Sequence, residues 1–439
     1  MPNNNAMLYD TINPELFKLN RKRFMRKMLP DSIAIFHSND LMPRNGDGYF
    51  PFRQNSDLLY LSGLDQEETV VVLFPDCPKE GYSEVAFIKK TSERIAQWEG
   101  EKLSIEQAKE ISGIAKVFWL DEMDSILTEM ILLAKRIYLN LPENPRFQQP
   151  VPSRDARFAK ELKEKYPLHK YHRSQPMLKQ LRMIKSGLEI DVMQQAINIT
   201  NKAFHRVLEF VHPGVMEYEI EAEISRVFLR NRAKHHAYEP IIASGKNACV
   251  LHYIANDKPC KDGDLILMDF GAEYGNYAAD LSRTIPANGQ FTQRQAAVYN
   301  AVLRVMKAAT EMLVPGITLE EYNKEVGLLM QSELLDLKLI DKTDIKNQDP
   351  EWPAYKTYFM HGTSHHLGLD VHDASHKEAP FQSGMVFTCE PGIYIPEESI
   401  GVRIENDILI TDHQPLDLMR DIPREIEEIE ELMNVMIAD

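Results

Sequence analysis

Short apolar runs separated by helical patterns fill the first part of the chain. Runs typical of strands cover residues 33–36, 58–61, 70–74, 85–88 and 137–139. Between these runs, apolar residues recur at the spacing of amphipathic helices. Because strand and helix patterns alternate, the sequence predicts an α/β domain here.

A stretch with several prolines and weak patterning, residues 150–176, separates this part from the remainder. After it, Ser186 and Glu189 have the spacing of a capping box and precede a long amphipathic pattern, which predicts the start of a helix. We therefore place the domain boundary near residue 174. The expected organisation is a smaller N-terminal α/β domain, residues 1–173, followed by a larger domain, residues 174–439.

The second part of the chain contains a pattern that occurs twice. A helical pattern runs into Pro213-Gly214 and a second helical pattern follows, and the same order recurs around Pro315-Gly316. After each pair of helical patterns comes an apolar segment of strand character that carries acidic residues. The order helix, Pro-Gly, helix, hairpin therefore predicts an internal duplication within an α+β domain.

The bulk composition narrows the classes of function. A chain of 439 residues is long enough for two domains, and 44% hydrophobic with 26% charged residues is ordinary for globular proteins. The formal charge of −16 would repel a phosphate backbone, so nucleic acid is excluded as a partner. We expect no membrane partner and a cytoplasmic location, because we find neither a run of membrane-spanning length nor the apolar core of a signal peptide.

The cysteines give no metal or disulfide pattern. The four are widely scattered and form neither a CxxC pair nor a disulfide framework: Cys77, Cys249, Cys260 and Cys389. We expect all four to be reduced and structural.

Two predicted hairpins carry pairs of acidic residues. A turn centred between Tyr274 and Gly275 would place Asp269 opposite Asp280. A turn centred on residues 397–398 would place Glu390 opposite Glu405. Like charges facing each other across a sheet are destabilising, so two such pairs call for a compensating cation, for which a divalent metal is the natural candidate. The alternative is that these acids point to solvent from edge strands.

A histidine-rich segment lies between the two hairpins. It contains His361, His365, His366 and His372 within a glycine-rich stretch. Imidazole favours first-row transition metals, so one of these histidines added to four acids indicates manganese, cobalt, zinc or iron. The alternative is a surface loop with solvated histidines. His252 is isolated, and its spacing alone is typical of a packed core histidine.

At this point the pattern resembles the Xaa-Pro aminopeptidases (aminopeptidase P), which share the pita-bread fold with prolidase, methionine aminopeptidase and creatinase. The resemblance rests on motifs in residues 269–271 (Asp-Phe-Gly), 280–284 (Asp-Leu-Ser-Arg-Thr), 361–365 (His-Gly-Thr-Ser-His), 372–373 (His-Asp), 390–394 (Glu-Pro-Gly-Ile-Tyr) and 403–405 (Arg-Ile-Glu). These motifs span nearly all of the second domain in the family's order. Residues 53–63 resemble the family's N-terminal domain.

The resemblance implies a dinuclear metal site and a reaction. It implies hydrolytic release of the first residue from peptides with proline in second position, using a metal-bound hydroxide. Two divalent ions, usually manganese, would be held by Asp269, Asp280, His365, Glu390 and Glu405, with Asp280 and Glu405 bridging. It implies supporting or catalytic roles for His252, His361, His372, Glu390 and Arg403, a place near the site for Tyr394, and substrate-side roles for Asp47 and Trp98. A homodimer or homotetramer is expected.

Other members of the fold remain alternatives at this stage. Prolidase, which cuts only Xaa-Pro dipeptides, uses the same ligands, but its histidine motif usually has glycine where this chain has Ser364. Methionine aminopeptidase generally lacks a first domain of this size. A metal-free creatinase-like hydrolase or a peptide-binding scaffold would lack the metal ligands, all five of which are present here.

Overall fold

The chain has two compact units in the computed structural model, which describes residues 9–144, 150–376 and 378–434. The units are Met1–Arg182 and Met183–Asp439. Within the described residues, every helix is too short or too polar to traverse a lipid bilayer. All four cysteines are unpaired, as the sequence predicts.

Helices and strands alternate in the first unit. The helices are α1 (Pro14–Met25), α2 (Ser56–Ser62), α3 (Glu93–Glu99), α4 (Ile105–Ser112), α5 (Met123–Leu133), α6 (Arg154–Lys165) and α7 (Gln175–Met183). The strands are β1 (Ser32–His37), β2 (Val70–Leu73), β3 (Glu84–Ile88), β4 (Lys116–Trp119), β5 (Arg136–Leu139) and β6 (Lys170–Arg173). The strands form one sheet in the order β4-β3-β2-β1-β5-β6. The predicted α/β class is confirmed.

One apolar run of the first unit was assigned to the wrong element type. Residues 58–61, which have the pattern of a strand, lie in α2. The Asn55 side chain accepts from the backbone N–H groups of Asp57 and Leu58 and begins the helix, and Gly63 ends it in the left-handed conformation at φ 70°. The caps therefore outweigh the β propensity of a short apolar run, and the run is buried as one turn of helix.

The second unit contains helices and several small sheets. Its helices are α8 (Gly187–Phe210), α9 (Glu217–Arg230), α10 (Gln293–Glu311), α11 (Leu319–Asp336), α12 (Lys342–Asn347) and α13 (Ile426–Asn434). Its strands are β7 (Ile241–Ser244), β8 (Leu265–Phe270), β9 (Glu273–Tyr274), β10 (Tyr277–Ala278), β11 (Leu281–Pro286), β12 (Val386–Cys389), β13 (Gly392–Ile395), β14 (Ile400–Arg403), β15 (Asn406–Leu409) and β16 (Leu416–Asp417). Three-stranded sheets have the orders β11-β8-β7 and β12-β15-β16, while β9-β10 and β13-β14 are two-stranded.

The predicted repeat is present in this unit. Helices α8 and α9 are joined through Gly214 and followed by the β8–β11 hairpin, and α10 and α11 are joined through Gly316 and followed by the β12–β15 strands. Both glycines have positive φ, 94° and 104°, which residues with a side chain rarely adopt. The capping box of Ser186 and Glu189 begins α8 as predicted. Each half therefore delivers one hairpin with acidic residues.

The register of the first hairpin differs from the prediction. Asp269 pairs with Ser282, not with Asp280. The turn is centred one position later, at Gly275 and Asn276, which both have positive φ. Because Asp280 lies two residues before Ser282, side-chain alternation keeps it on the same face as Asp269. The two acids are still neighbours, but diagonally.

The second hairpin has the predicted register. Cys389 pairs with Asn406, and Gly392 pairs with Arg403. Glu390 and Glu405 lie between these pairs, opposite each other. The Cys389 thiol points the other way, towards α10 and α11, where its sulfur lies 3.6 Å from the Tyr322 hydroxyl. Alternation along the strand therefore separates the thiol from the acid that follows it.

The first hairpin tolerates no side chain at Gly271. A Cβ atom there would lie 1.7 Å from the carbonyl oxygen of Ala279, which is backbone and has little freedom to move. We expect Gly271→Ala to lower the free energy of unfolding by about 1–3 kcal/mol or more, measured by urea denaturation. Gly187→Ala is the control, because a Cβ at Gly187 meets nothing within 4 Å. Equal stability of Gly271→Ala and wild type would contradict the hairpin geometry.

Candidate metal centre

Five residues from separate segments of the second unit meet at the two hairpins. Asp269 lies in β8, Asp280 directly precedes β11, Glu390 directly follows β12, and Glu405 lies between β14 and β15. His365 belongs to the segment between α12 and β12. Oxygen atoms of Asp280 and Glu405 and a ring nitrogen of His365 lie within 4.8 Å of one another. Glu390 lies 3.7 Å from His365, and one tyrosine hydroxyl lies between Asp269 and Asp280, so the five residues that the family resemblance implies as metal ligands are neighbours.

The alternative interpretation, in which the four acids point to solvent from edge strands, is wrong. Asp280 and Glu405 are 4% and 2% exposed, and Asp269 and Glu390 are half-buried. Burial of an ionised carboxylate is costly unless a positive charge or hydrogen-bond donors compensate it. The surroundings of these acids therefore decide what the site can hold.

The hydrogen bonds of His365 leave one ring nitrogen facing the acids. Its Nδ1 lies 3.1 Å from the carbonyl oxygen of His366, which can only accept, so Nδ1 carries a proton. Nε2 faces Asp280 Oδ2 at 3.4 Å and Glu390 Oε1 at 3.7 Å. In neutral His365, Nε2 therefore has a lone pair that could bind a metal ion. Metal-binding histidines commonly donate a hydrogen bond from the other ring nitrogen to a backbone carbonyl, as His365 does here.

Arg403 links two of the acids. Its guanidinium donates to Asp269 Oδ2 at 2.7 Å and to Ser282 Oγ at 2.8 Å. The Ser282 hydroxyl donates to Glu405 Oε2 at 2.7 Å. One cation therefore holds Asp269 directly and Glu405 through Ser282.

His361 is held as a neutral ring beside the acids. Arg403 donates to the Tyr394 hydroxyl at 2.9 Å, and this hydroxyl lies 2.8 Å from His361 Nε2. Nδ1 of His361 donates to the Gly362 carbonyl at 2.8 Å, so Tyr394 donates to Nε2. Burial, and then the charge of Arg403, lower the pKa of His361 to about 4. Its Nδ1 lies 3.8 Å from Glu390 Oε2.

Burial favours the protonated forms of three of these acids. Burial raises the pKa of Glu390 to about 7 and raises the pKa of Asp280 and of Glu405. Burial also lowers the pKa of His365, but the Asp280 hydrogen bond and the charge of Glu390 outweigh it and raise that pKa to about 9. A divalent cation would replace these protons. The donor set, four carboxylates and an imidazole nitrogen, therefore fits divalent metal ions.

The other predicted site residues have different positions. His252 and His372 are exposed, and the His372 ring lies 4.3 Å from the His365 ring between centroids. The expectation from spacing that His252 is a packed core residue is wrong. Asp47 and Trp98 belong to the first unit and are exposed, Trp98 by 80%.

Tyr238 is a site residue that sequence reasoning missed. Its hydroxyl lies 2.5 Å from Asp269 Oδ1 and 2.5 Å from Asp280 Oδ1, and having one proton it donates to one of them at a time. Burial and the charges of Asp269 and Asp280 raise its pKa well above the usual value. A lone tyrosine before β7 matches no motif that we recognise, so no signal in one sequence identifies it.

Comparisons with known proteins find similarity to aminopeptidases over nearly the whole chain. The model of metallopeptidase family M24 matches residues 191–412, and that of the aminopeptidase P N-terminal domain matches residues 17–138. The Xaa-Pro aminopeptidase of Haemophilus influenzae is 35% identical over 96% of this chain and 97% of its own. An aminopeptidase of Pseudomonas aeruginosa superposes with a TM-score of 0.87 at 32% identity, covering 97% of this chain and 99% of that one. Aminopeptidase P of Escherichia coli with the inhibitor Pro-Leu gives 0.87 at 31% identity, covering 98% and 100%.

This chain therefore belongs to metallopeptidase family M24. The three relatives above, to which it is similar over nearly its full length, are named as aminopeptidases. The family resemblance and the pita-bread fold predicted from the motifs are confirmed. The prolidase alternative is not favoured, because these relatives are aminopeptidases. The metal-free alternative is not favoured either, since all five candidate ligands converge.

Removal of the Tyr238 hydroxyl tests its place between Asp269 and Asp280. We expect Tyr238→Phe to weaken Mn²⁺ binding about 10–100-fold, because outer hydrogen bonds orient metal-binding carboxylates. Titration calorimetry on chelator-treated protein measures the affinity. The control is Tyr299→Phe, since the hydroxyl of the buried Tyr299 donates to the Arg424 carbonyl and to neither acid. Wild-type affinity in Tyr238→Phe would contradict the assignment.

Proposed function

We propose that this protein is a Xaa-Pro aminopeptidase, which releases the first residue from peptides with proline in second position. The observation that carries the proposal is the cluster of Asp280, His365 and Glu405, with Glu390 beside His365 and Asp269 joined to Asp280 through Tyr238, in a chain that is similar to Xaa-Pro aminopeptidases over nearly its full length. The proposal includes residues 1–173 as the N-terminal domain and residues 174–439 as the catalytic domain. The cytoplasmic location and the homodimer or homotetramer stay predictions.

The five clustered residues would hold two divalent ions. Asp269, Asp280, His365, Glu390 and Glu405 supply oxygen and nitrogen donors of the kind that manganese accepts, and Mn²⁺ is the proposed metal. Bridging by Asp280 and Glu405 is carried over from the family resemblance. When bound, such ions lower the pKa of water, so that a nucleophile is available at neutral pH.

Glu390 is the proposed proton carrier. A carboxylate at this position could accept a proton from the attacking water and return it to the leaving group. Its two oxygens face His365 and His361 at 3.7 and 3.8 Å. His361, neutral and fixed by Tyr394 and the Gly362 carbonyl, places its ring beside this carboxylate. Arg403 holds Asp269 in place through its hydrogen bond to Oδ2.

The substrate demands recognition without a backbone N–H, because a peptide bond to proline has none. Side chains proposed to meet the peptide are those of the exposed His252 and His372 and the half-buried His361. In this proposal His372 stabilises the oxyanion that forms when the bond is attacked, and His252 and His361 contact the proline side. Asp47 and Trp98 are retained as proposed substrate-side residues of the first unit.

One activity series tests the proposed function. Hydrolysis of an Xaa-Pro dipeptide, an Xaa-Pro-Yaa tripeptide and a longer peptide with proline second is measured by amino-acid release, with chelated enzyme and after Mn²⁺ is restored. We expect release of only the first residue, faster from the tripeptide than from the dipeptide, and loss of activity on chelation. A matched peptide with alanine second is the control. Cleavage restricted to the dipeptide, or full activity in chelator, would overturn the proposal.

Different outcomes are expected for two neighbouring histidines. His365→Ala should lose metal first and activity as a consequence, because its Nε2 faces the acids. His372→Ala should keep its metal and lose about 10²–10³ in kcat, as for one donor to an oxyanion. Metal content by mass spectrometry and kcat are measured on both variants in parallel. Equal metal loss in both, or wild-type kcat in His372→Ala, would refute this division of roles.

A further inference from the structure

A buried carboxylate outside the metal centre organises one loop of the second unit. Glu217, the first residue of α9, is 0% exposed. It accepts five hydrogen bonds: from Ser244 N and Oγ at 2.8 and 2.7 Å, Asn247 Nδ2 at 3.4 Å, the Tyr253 hydroxyl at 2.8 Å and Lys258 N at 3.0 Å. All five donors belong to residues 244–258. One carboxylate therefore holds the beginning, the middle and the end of this segment.

Asn256 fixes the same segment a second time. It is buried, has φ of +45°, and donates to Glu221 Oε2 at 2.8 Å and to the Pro240 carbonyl at 2.9 Å. Its own Oδ1 accepts from the backbone N–H of Ile242 at 2.9 Å. An irregular segment tied through two buried polar side chains is held in one conformation.

The segment carries His252 between two residues that pack with Tyr394. Leu251 and Tyr253 pack into an apolar cluster that includes Tyr394, while His252 between them is exposed. Tyr394 is the residue whose hydroxyl bonds to His361 and Arg403. His252 is therefore the exposed residue of a loop whose two neighbouring side chains pack with Tyr394, a residue of the site.

We propose that Glu217 is a positioning residue that acts through His252: its carboxylate holds residues 244–258 so that the His252 ring meets the proline side of the peptide. The inference rests on the proposed function. Glu217 has no contact of its own with the candidate metal ligands among the hydrogen bonds described above. Its loss should therefore affect the peptide and not the metal.

The test is a double-mutant cycle with Glu217→Gln and His252→Ala, assayed on an Xaa-Pro-Yaa tripeptide in the full chain with Mn²⁺. The amide keeps the size of the side chain but turns one acceptor into a donor. We expect Glu217→Gln to lose about 10–100-fold in kcat/KM, with metal content unchanged. The double variant should be within about twofold of His252→Ala alone, because both changes remove the same contact.

Two further variants serve as a control and as a replacement for Glu217→Gln. Glu219→Gln is the control, since Glu219 lies in the same helical turn but accepts from Met216 N and not from the loop, so kcat/KM should stay within about twofold of wild type. Should Glu217→Gln fail to fold, Tyr253→Phe removes the hydroxyl that lies 2.8 Å from Glu217 and 3.2 Å from the exposed Asp257. This variant should lose about three- to tenfold in kcat/KM, again with no further loss in the His252→Ala background.

The outcomes separate the two claims. Losses that multiply in the double variant, or wild-type kcat/KM in His252→Ala, would overturn the role of Glu217. Absence of tripeptide hydrolysis by the wild-type enzyme would instead overturn the proposed function.

Discussion

Mutual repulsion among buried carboxylates is the constraint on which the second unit is built. Asp269, Asp280, Glu390 and Glu405 lie close together, and the positive or ionisable groups that contact them among the described residues include Arg403 and the rings of His361 and His365. Without a further cation, burial drives some of these carboxyls to keep their protons. Because each of the two hairpins places acids close enough to repel one another, the folded unit is expected to be stabilised by divalent metal ions.

The backbone meets this constraint with two hairpins from a duplicated unit. In the first, the close approach of Gly271 to the Ala279 carbonyl lets Asp269 and Asp280 sit diagonally on one face. In the second, Glu390 and Glu405 face each other in the gap between paired strands. The neighbouring groups then fix each acid: Tyr238 spans the first pair, and Ser282 joins Glu405 to Arg403.

Much of this was predictable because the signals are local. The acids end or precede apolar strand runs, and Pro-Gly turns mark both halves, so the four acids and the repeat can be predicted from the sequence, whereas His365 was singled out only by the family resemblance. The first register was missed by one position because Gly275 and Asn276 form the turn, and centring it correctly depends on their backbone angles. Tyr238 and Glu217 could not be predicted, since their roles arise only when distant segments fold together. Residues 58–61 were assigned wrongly for a different, local reason. The capping residues on either side of a short apolar run decide whether it forms a helix or a strand.

The central claim is that the acid cluster needs divalent cations. Its most direct test is the thermal unfolding of chelator-treated protein before and after addition of Mn²⁺. Ligand at 100 times its Kd stabilises the folded state by about 2.7 kcal/mol, so the transition of the unit that contains the cluster should move up by several degrees. A transition temperature that is the same with and without Mn²⁺ would contradict the account.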